Sequence, residues 1–215
     1  MVESTRDRAK RLFPAVSLTL LSIVQAIALE LLWSHTLDAQ YLYLFSWELP
    51  FSFIGWIQIT ATLIAIGLVW VVYASNIMRF QWVPSMADLC YPFIIGIAEF
   101  WLVSTLQPTS MGWWFIATAL NIGLVTAISQ FSMRSARLDP DNDEFFATRS
   151  PATLADFIPQ ISIVLLFLAL GIAVMIVPQA FWLRFIGGSA VLVFLFWQIF
   201  SSARYWRDSM REKKA

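Results

Sequence analysis

Apolar residues run along this chain in six stretches, near 12–34, 51–77, 84–106, 111–132, 157–178 and 181–203, separated by short segments that hold nearly all the charge. A helix rises about 1.5 Å per residue, so each stretch is long enough to cross a hydrocarbon core of about 30 Å. The pattern predicts an all-α polytopic membrane protein, a bundle of six transmembrane helices forming one domain over residues 1–215. The first stretch follows Arg6, Asp7, Arg8, Ala9, Lys10 and Arg11, as in a signal sequence. It is longer than the ~7–15 residues of a signal h-region and reads as an uncleaved first helix.

Composition agrees with a chain built for lipid: 59% of residues are hydrophobic, 13% are charged and the mean hydropathy is +0.70. The 14 basic and 14 acidic residues balance, so no nucleic-acid partner is expected. The placement of the charges matters more. The N-terminus, Arg79, the segment holding Arg134, Arg137 and Arg149, and the tail with Arg204, Arg207, Arg211, Lys213 and Lys214 fall on one side if the helices alternate. The opposite loops, 35–50, 107–110 and 178–184, hold only Arg184 as a basic residue. The positive-inside bias then places both termini in the cytoplasm. Trp33, Tyr41, Tyr43, Trp47, Trp56, Trp113, Trp114 and Trp182 would line the outer interface, with Trp82, Tyr91, Tyr205 and Trp206 at the inner one. Short loops, small size and the absence of an N-x-S/T acceptor suggest a bacterial inner membrane.

Two acidic residues interrupt the apolar runs. Glu30 and Glu99 both fall toward the outer side, and a carboxylate in hydrocarbon costs several kcal/mol unless protonated, paired or hydrated. At 100° per residue Thr19, Ser22, Ala26 and Glu30 share one face of the first span, and Asp88, Pro92 and Glu99 share one face of the third. The second span aligns Gln58, Thr62, Ala65, Tyr73 and Asn76, and the fourth aligns Thr118, Asn121 and Ser129. Such small-or-polar stripes are expected to face protein rather than lipid. Glu30 and Glu99 are therefore expected to converge, with Gln58, Asn121 and Thr118 as supporting polar groups. Arg184, about one turn into the sixth span, falls in the same slab and could bridge two carboxylates. The group reads either as a proton or cation site or as a structural ion cluster. Asp88 begins the third span and reads as a capping residue, with a pathway role as the alternative.

Other signals exclude more than they assign. A single Cys90 rules out an intramolecular disulfide or thiol redox pair, and a single His35 rules out bis-histidine haem ligation. No His/Cys cluster has zinc spacing, so no metal or cofactor is expected. The segment from His35 to Pro50, with Tyr41, Tyr43, Phe45 and Trp47, reads as an amphipathic interfacial stretch, or as a lid with a pH-responsive histidine. Between Arg134 and Asp156 the run Asp139, Pro140, Asp141, Asn142, Asp143, Glu144 imitates an EF-hand start. The sixth position is Glu144 where Gly is needed and the twelfth is Ser150 where Glu is needed, so a solvated acidic loop is expected instead. Gly187, Gly188, Ser189 and Ala190 fit the G-x-S-x form around the serine of rhomboid proteases. No histidine lies within a span to serve as base, so these glycines read as close helix packing and no enzyme is expected.

Weak internal similarity links the third and fifth spans: Asp88 with Pro92, and Asp156 with Pro159, each put an acid and then a proline into a first turn. These features favour a small proton- or cation-linked transporter or channel. The alternative is a non-transporting scaffold or assembly subunit whose buried Glu and Arg groups serve helix packing or grip a partner. The bilayer itself, a small ion or proton, and a homo-oligomer or partner membrane subunit are the expected partners.

Overall fold

A computed structural model describes residues 4–42, 49–147 and 150–210, and these are helical with no strand among them. The elements are α1 (Thr5–Asp38), α2 (Leu49–Arg79), α3 (Met86–Ser104), α4 (Met111–Arg137), a short α5 (Asp143–Phe146), α6 (Leu154–Ile176) and α7 (Phe181–Met210). Six of them are long and apolar enough to cross a membrane. The chain is an integral membrane protein. Tyr43, Phe45, Trp47 and Glu48 of the 35–50 segment, Arg149, and the tail residues Arg211, Lys213 and Lys214 lie outside the described residues.

Local chemistry explains where the helices begin. Ser4 caps α1, its Oγ accepting from the Asp7 N–H at 3.2 Å, so the charged segment Arg6–Arg11 is helical and α1 starts before its apolar stretch. Ser85 and Asp88 form a capping box on α3: the Asp88 carboxylate accepts from the Ser85 N–H and hydroxyl, both at 2.7 Å. Thr153 and Asp156 do the same for α6, at 2.8 and 3.0 Å. The resemblance between these two starts is thus a shared capping device.

Helix contacts run in a ring from α1 to α3, α4, α6, α7, α2 and back to α1, with α2 and α4 also touching across the middle. Small residues set the closest approaches, as they do where lipid supplies no hydrophobic drive between helices. A Cβ on Gly171 would lie 2.8 Å from the Gly112 carbonyl oxygen, which brings α6 against α4 almost backbone to backbone. Gly96 faces Val24 so closely that α1 and α3 could not meet there with any side chain at 96. Gly187 sits under the Phe115 ring. The core divides into two clusters. One surrounds Trp114, Phe115, Leu102 and Leu106, and the other surrounds Phe13, Tyr73, Trp82 and Ile128 near the end that holds both chain termini.

That terminal end is fastened by the segment after α4, which is not a simply solvated acidic loop. Asp139 and Asn142 are buried. Lys10 pairs with Asp139 at 2.5 Å and Asp141 at 2.6 Å. Asn142 donates to the carbonyls of Gln81 at 2.6 Å and Ala136 at 2.7 Å, and accepts from the Gln81 N–H. The Arg79 guanidinium stacks within 5 Å of the Phe80, Phe145 and Tyr205 rings. One short segment therefore ties together α1 and the α2–α3 connection, and Arg79 at the end of α2 links it to Tyr205 of α7. At the other end the Tyr41 hydroxyl donates to the Leu106 carbonyl at 3.1 Å and lies 3.2 Å from His35 Nε2, joining the ends of α1 and α3. Burial pushes the Tyr41 phenol up to about 12, so it remains a donor at neutral pH.

Candidate functional site

The buried face of α1 is formed by Phe13, Ser17, Leu21, Val24, Gln25, Ala28, Leu32 and Thr36, spaced three or four apart. Glu30 lies about 140° around the helix from Gln25 at 100° per residue, and it is exposed on the outer surface of the bundle. Thr19, Ser22 and Ala26 are exposed with it. The small-or-polar stripe of α1 is thus exposed, contrary to the expectation from its composition, and meets another helix at its edge, where Ser22 accepts from the Trp70 indole of α2. The reason is that Ser17, Leu21, Gln25, Ala28 and Leu32 offer a second stripe whose bulk fits α3 across Gly96. The inward faces of α2, α3 and α4 do match expectation: Gln58, Thr62, Asp88, Glu99, Thr118 and Asn121 are buried.

Glu99 has no exposed surface. Its Oε1 accepts from Gln25 Nε2 at 2.7 Å, and its Oε2 is buried without a hydrogen-bond partner. The pair lies deep, because Gln25 stands thirteen residues, about 20 Å, from the end of α1 at Asp38. Close packing of Val24 on Gly96 holds the two helices in register beside it. Burying a full negative charge without a cation costs several kcal/mol. Sequence reading singled out Glu99 but missed Gln25. The signal was present, since Gln25 is also a polar residue within the apolar run and shares a face with Ser17.

The structure does not bring Glu30 to Glu99. Gln25 fixes the level of Glu99 on α1, and Glu30 is five residues, about 7.5 Å, farther along and on another face. Arg184 is not in that slab either. Phe185 meets Phe53 with ring centroids 5.7 Å apart, whereas Ser22 receives the Trp70 indole hydrogen bond at 3.3 Å. On the α2 ruler Arg184 is level with residue 53 or so and Gln25 with residue 66 or so, a separation of about 20 Å. The buried Arg184 donates to the Pro178 carbonyl at 2.5 Å, fastening the turn before α7. Matching by count from the helix ends failed because the helices extend past the apolar zone by different amounts.

The remaining candidates serve local roles or line other spaces. Asp88 is occupied by the α3 capping box. Thr118 donates back to the Trp114 carbonyl at 2.8 Å, and the Trp114 indole donates to Thr62 at 3.1 Å. Gln58 reaches toward the Gln107 carbonyl at 3.5 Å and leaves its own Oε1 buried and unpartnered. Asn121 lines a cavity between α2, α4, α6 and α7. No group of three or more His, Cys, Asp or Glu placed to hold a metal occurs among the described residues. Compared with protein families, characterised proteins and solved structures, the chain matches none.

Proposed function

We propose that this chain is a small proton- or cation-linked transporter or channel of a bacterial inner membrane, with both termini cytoplasmic and with Glu99 as its intramembrane carboxyl site. One observation carries the reading: a wholly buried carboxyl deep in the bundle has one oxygen on Gln25 and the other free. An intramembrane ionisable group in such a position suits a proton relay better than a packing device, because packing would be served as well by Leu. The concentration of Arg6, Arg8, Lys10, Arg11, Arg79, Arg134, Arg137, Arg204 and Arg207 toward the terminal end supports the orientation. No catalytic role is part of this proposal.

Flux of protons and of several monovalent cations into liposomes holding the purified protein tests it. Wild type is expected to carry one of them, Glu99→Gln to abolish the flux, and Glu30→Gln to leave it. Absence of any flux in wild type overturns the transport reading. The exposed Glu30 favours the second reading, an assembly subunit, since a carboxyl on a lipid-facing surface gains a partner when another helix covers it. That reading expects Glu30→Leu to abolish association with another chain and Glu99→Gln to leave it.

A further inference from the structure

We propose that the cavity between α2, α4, α6 and α7 binds a small uncharged polar solute that carries both a hydrogen-bond acceptor and a donor. The cavity holds about 200 Å³ and lies in the half of the bundle toward the chain termini, where α6 leans on α4 and α7 on α2. Its polar lining comes from Asn121, Thr126, Ser129, Gln130, Gln160, Gln198 and Ser202. None of these is ionisable. Asn121 is 5% exposed, and its Nδ2 meets no hydrogen-bond partner; Gln160 presents a buried Oε1 that is likewise unpartnered. Helix packing does not account for either atom, because neither bonds another helix. Each is a buried polar group left without the hydrogen bond that a ligand beside it would supply.

Position and size define the ligand further. Gly123 of α4 faces Val164 of α6, so Gln160, one turn before Val164, is level with residue 127. Asn121 is six residues, about 9 Å, deeper along the axis. The unmet amide N–H of Asn121 thus stands at the deep level of the cavity, and the unmet amide oxygen of Gln160 at the level nearer the termini. A volume of about 200 Å³ equals that of about six or seven liquid waters, which suits an amide or a short polyol. With no charge among the lining side chains, a carboxylate or ammonium would enter without compensation. The proposal is independent of Glu99, which does not line this cavity.

The test uses the full chain in liposomes with its single cysteine, the exposed Cys90, replaced by Ser. Ser202→Cys then places a thiol at the cavity, and its rate of modification by a small methanethiosulfonate is followed. Acetamide or glycerol is expected to slow modification about threefold at twice its Kd, since bound ligand leaves one third of the sites free. Acetate, nearly the same shape as acetamide but charged, is expected to give no protection. Asn121→Leu and Gln160→Leu, made singly and checked for unchanged elution on gel filtration, should each remove the protection while leaving the basal rate. An unreactive thiol, modification indifferent to acetamide and glycerol, equal protection by acetate, or protection that survives both substitutions each overturns the proposal. The comparison of acetamide with acetate needs neither Leu variant, so it decides the matter even if both misfold. Failure of the Glu99→Gln flux experiment would leave this result untouched.

Discussion

Gln25 and Glu99 form the most consequential pair at the scale of single residues, because the energetics of a buried hydrogen bond are asymmetric. Removing one partner strands the other, whereas replacing both with apolar groups is close to neutral. Gln25→Leu is therefore expected to lower stability by about 1–3 kcal/mol, and the double substitution Gln25→Leu with Glu99→Leu to recover most of it. Thermal unfolding in detergent checks both; a neutral Gln25→Leu would show that the bond carries no weight. Lys10 and Asp139 form a second pair with a definite pH signature. Burial alone would raise the Asp139 carboxyl, but hydrogen bonds from Lys10 and the Asp141 N–H, with the Lys10 charge, hold it below its ordinary value. A carboxyl lowered by folding adds stability above its unfolded value of about 4 and loses it as pH falls through the folded value. Asp139→Asn should melt earlier than wild type at pH 7, and the gap should close below about pH 4. A gap constant across pH would contradict the pairing.

At the scale of helices, composition and hydropathy were enough to locate all six long elements, and the two acid-then-proline starts were readable as caps. Ser85→Ala should accordingly cost about 1 kcal/mol, measured as a lower melting temperature. What could not be read was which side of α1 faces inward. Two stripes compete there, one of Thr19, Ser22, Ala26 and Glu30, the other of Ser17, Leu21, Gln25, Ala28 and Leu32. The choice is made by the complementary surface of α3, where Gly96 admits Val24, and that lies outside any property of α1 itself. The short α5 was illegible for a similar reason: its Phe145 and Phe146 are held by Arg79 at the end of α2 and by Phe80 just beyond it rather than by local propensity. The α4–α6 seam gives the most direct test of close packing. Gly171→Val inserts bulk where the Gly112 backbone already stands, and overpacking of this kind typically costs about 1–3 kcal/mol. A variant as stable as wild type would show that the seam can open.

For the molecule as a whole, the ring of helices has two unequal joints, since α6 and α7 hold mainly to α4 and α2 and far less to each other. Among the described residues, the contacts that fasten the segment after α4 fall on residues up to 146: Lys10 pairs with Asp139 and Asp141, Asn142 bonds Gln81, and Arg79 stacks on Phe145. Beyond it, the Ser150 carbonyl accepts from Arg137 at 3.1 Å. Covalent continuity at that point is therefore expected to be dispensable for assembly. Two polypeptides, one ending at 147 and the other beginning at 150, should find each other in the bilayer when made together and co-purify through a tag on either half. Heredity of this kind would let the α6–α7 hairpin be exchanged as a cassette, with the four-helix remainder serving as its receptor.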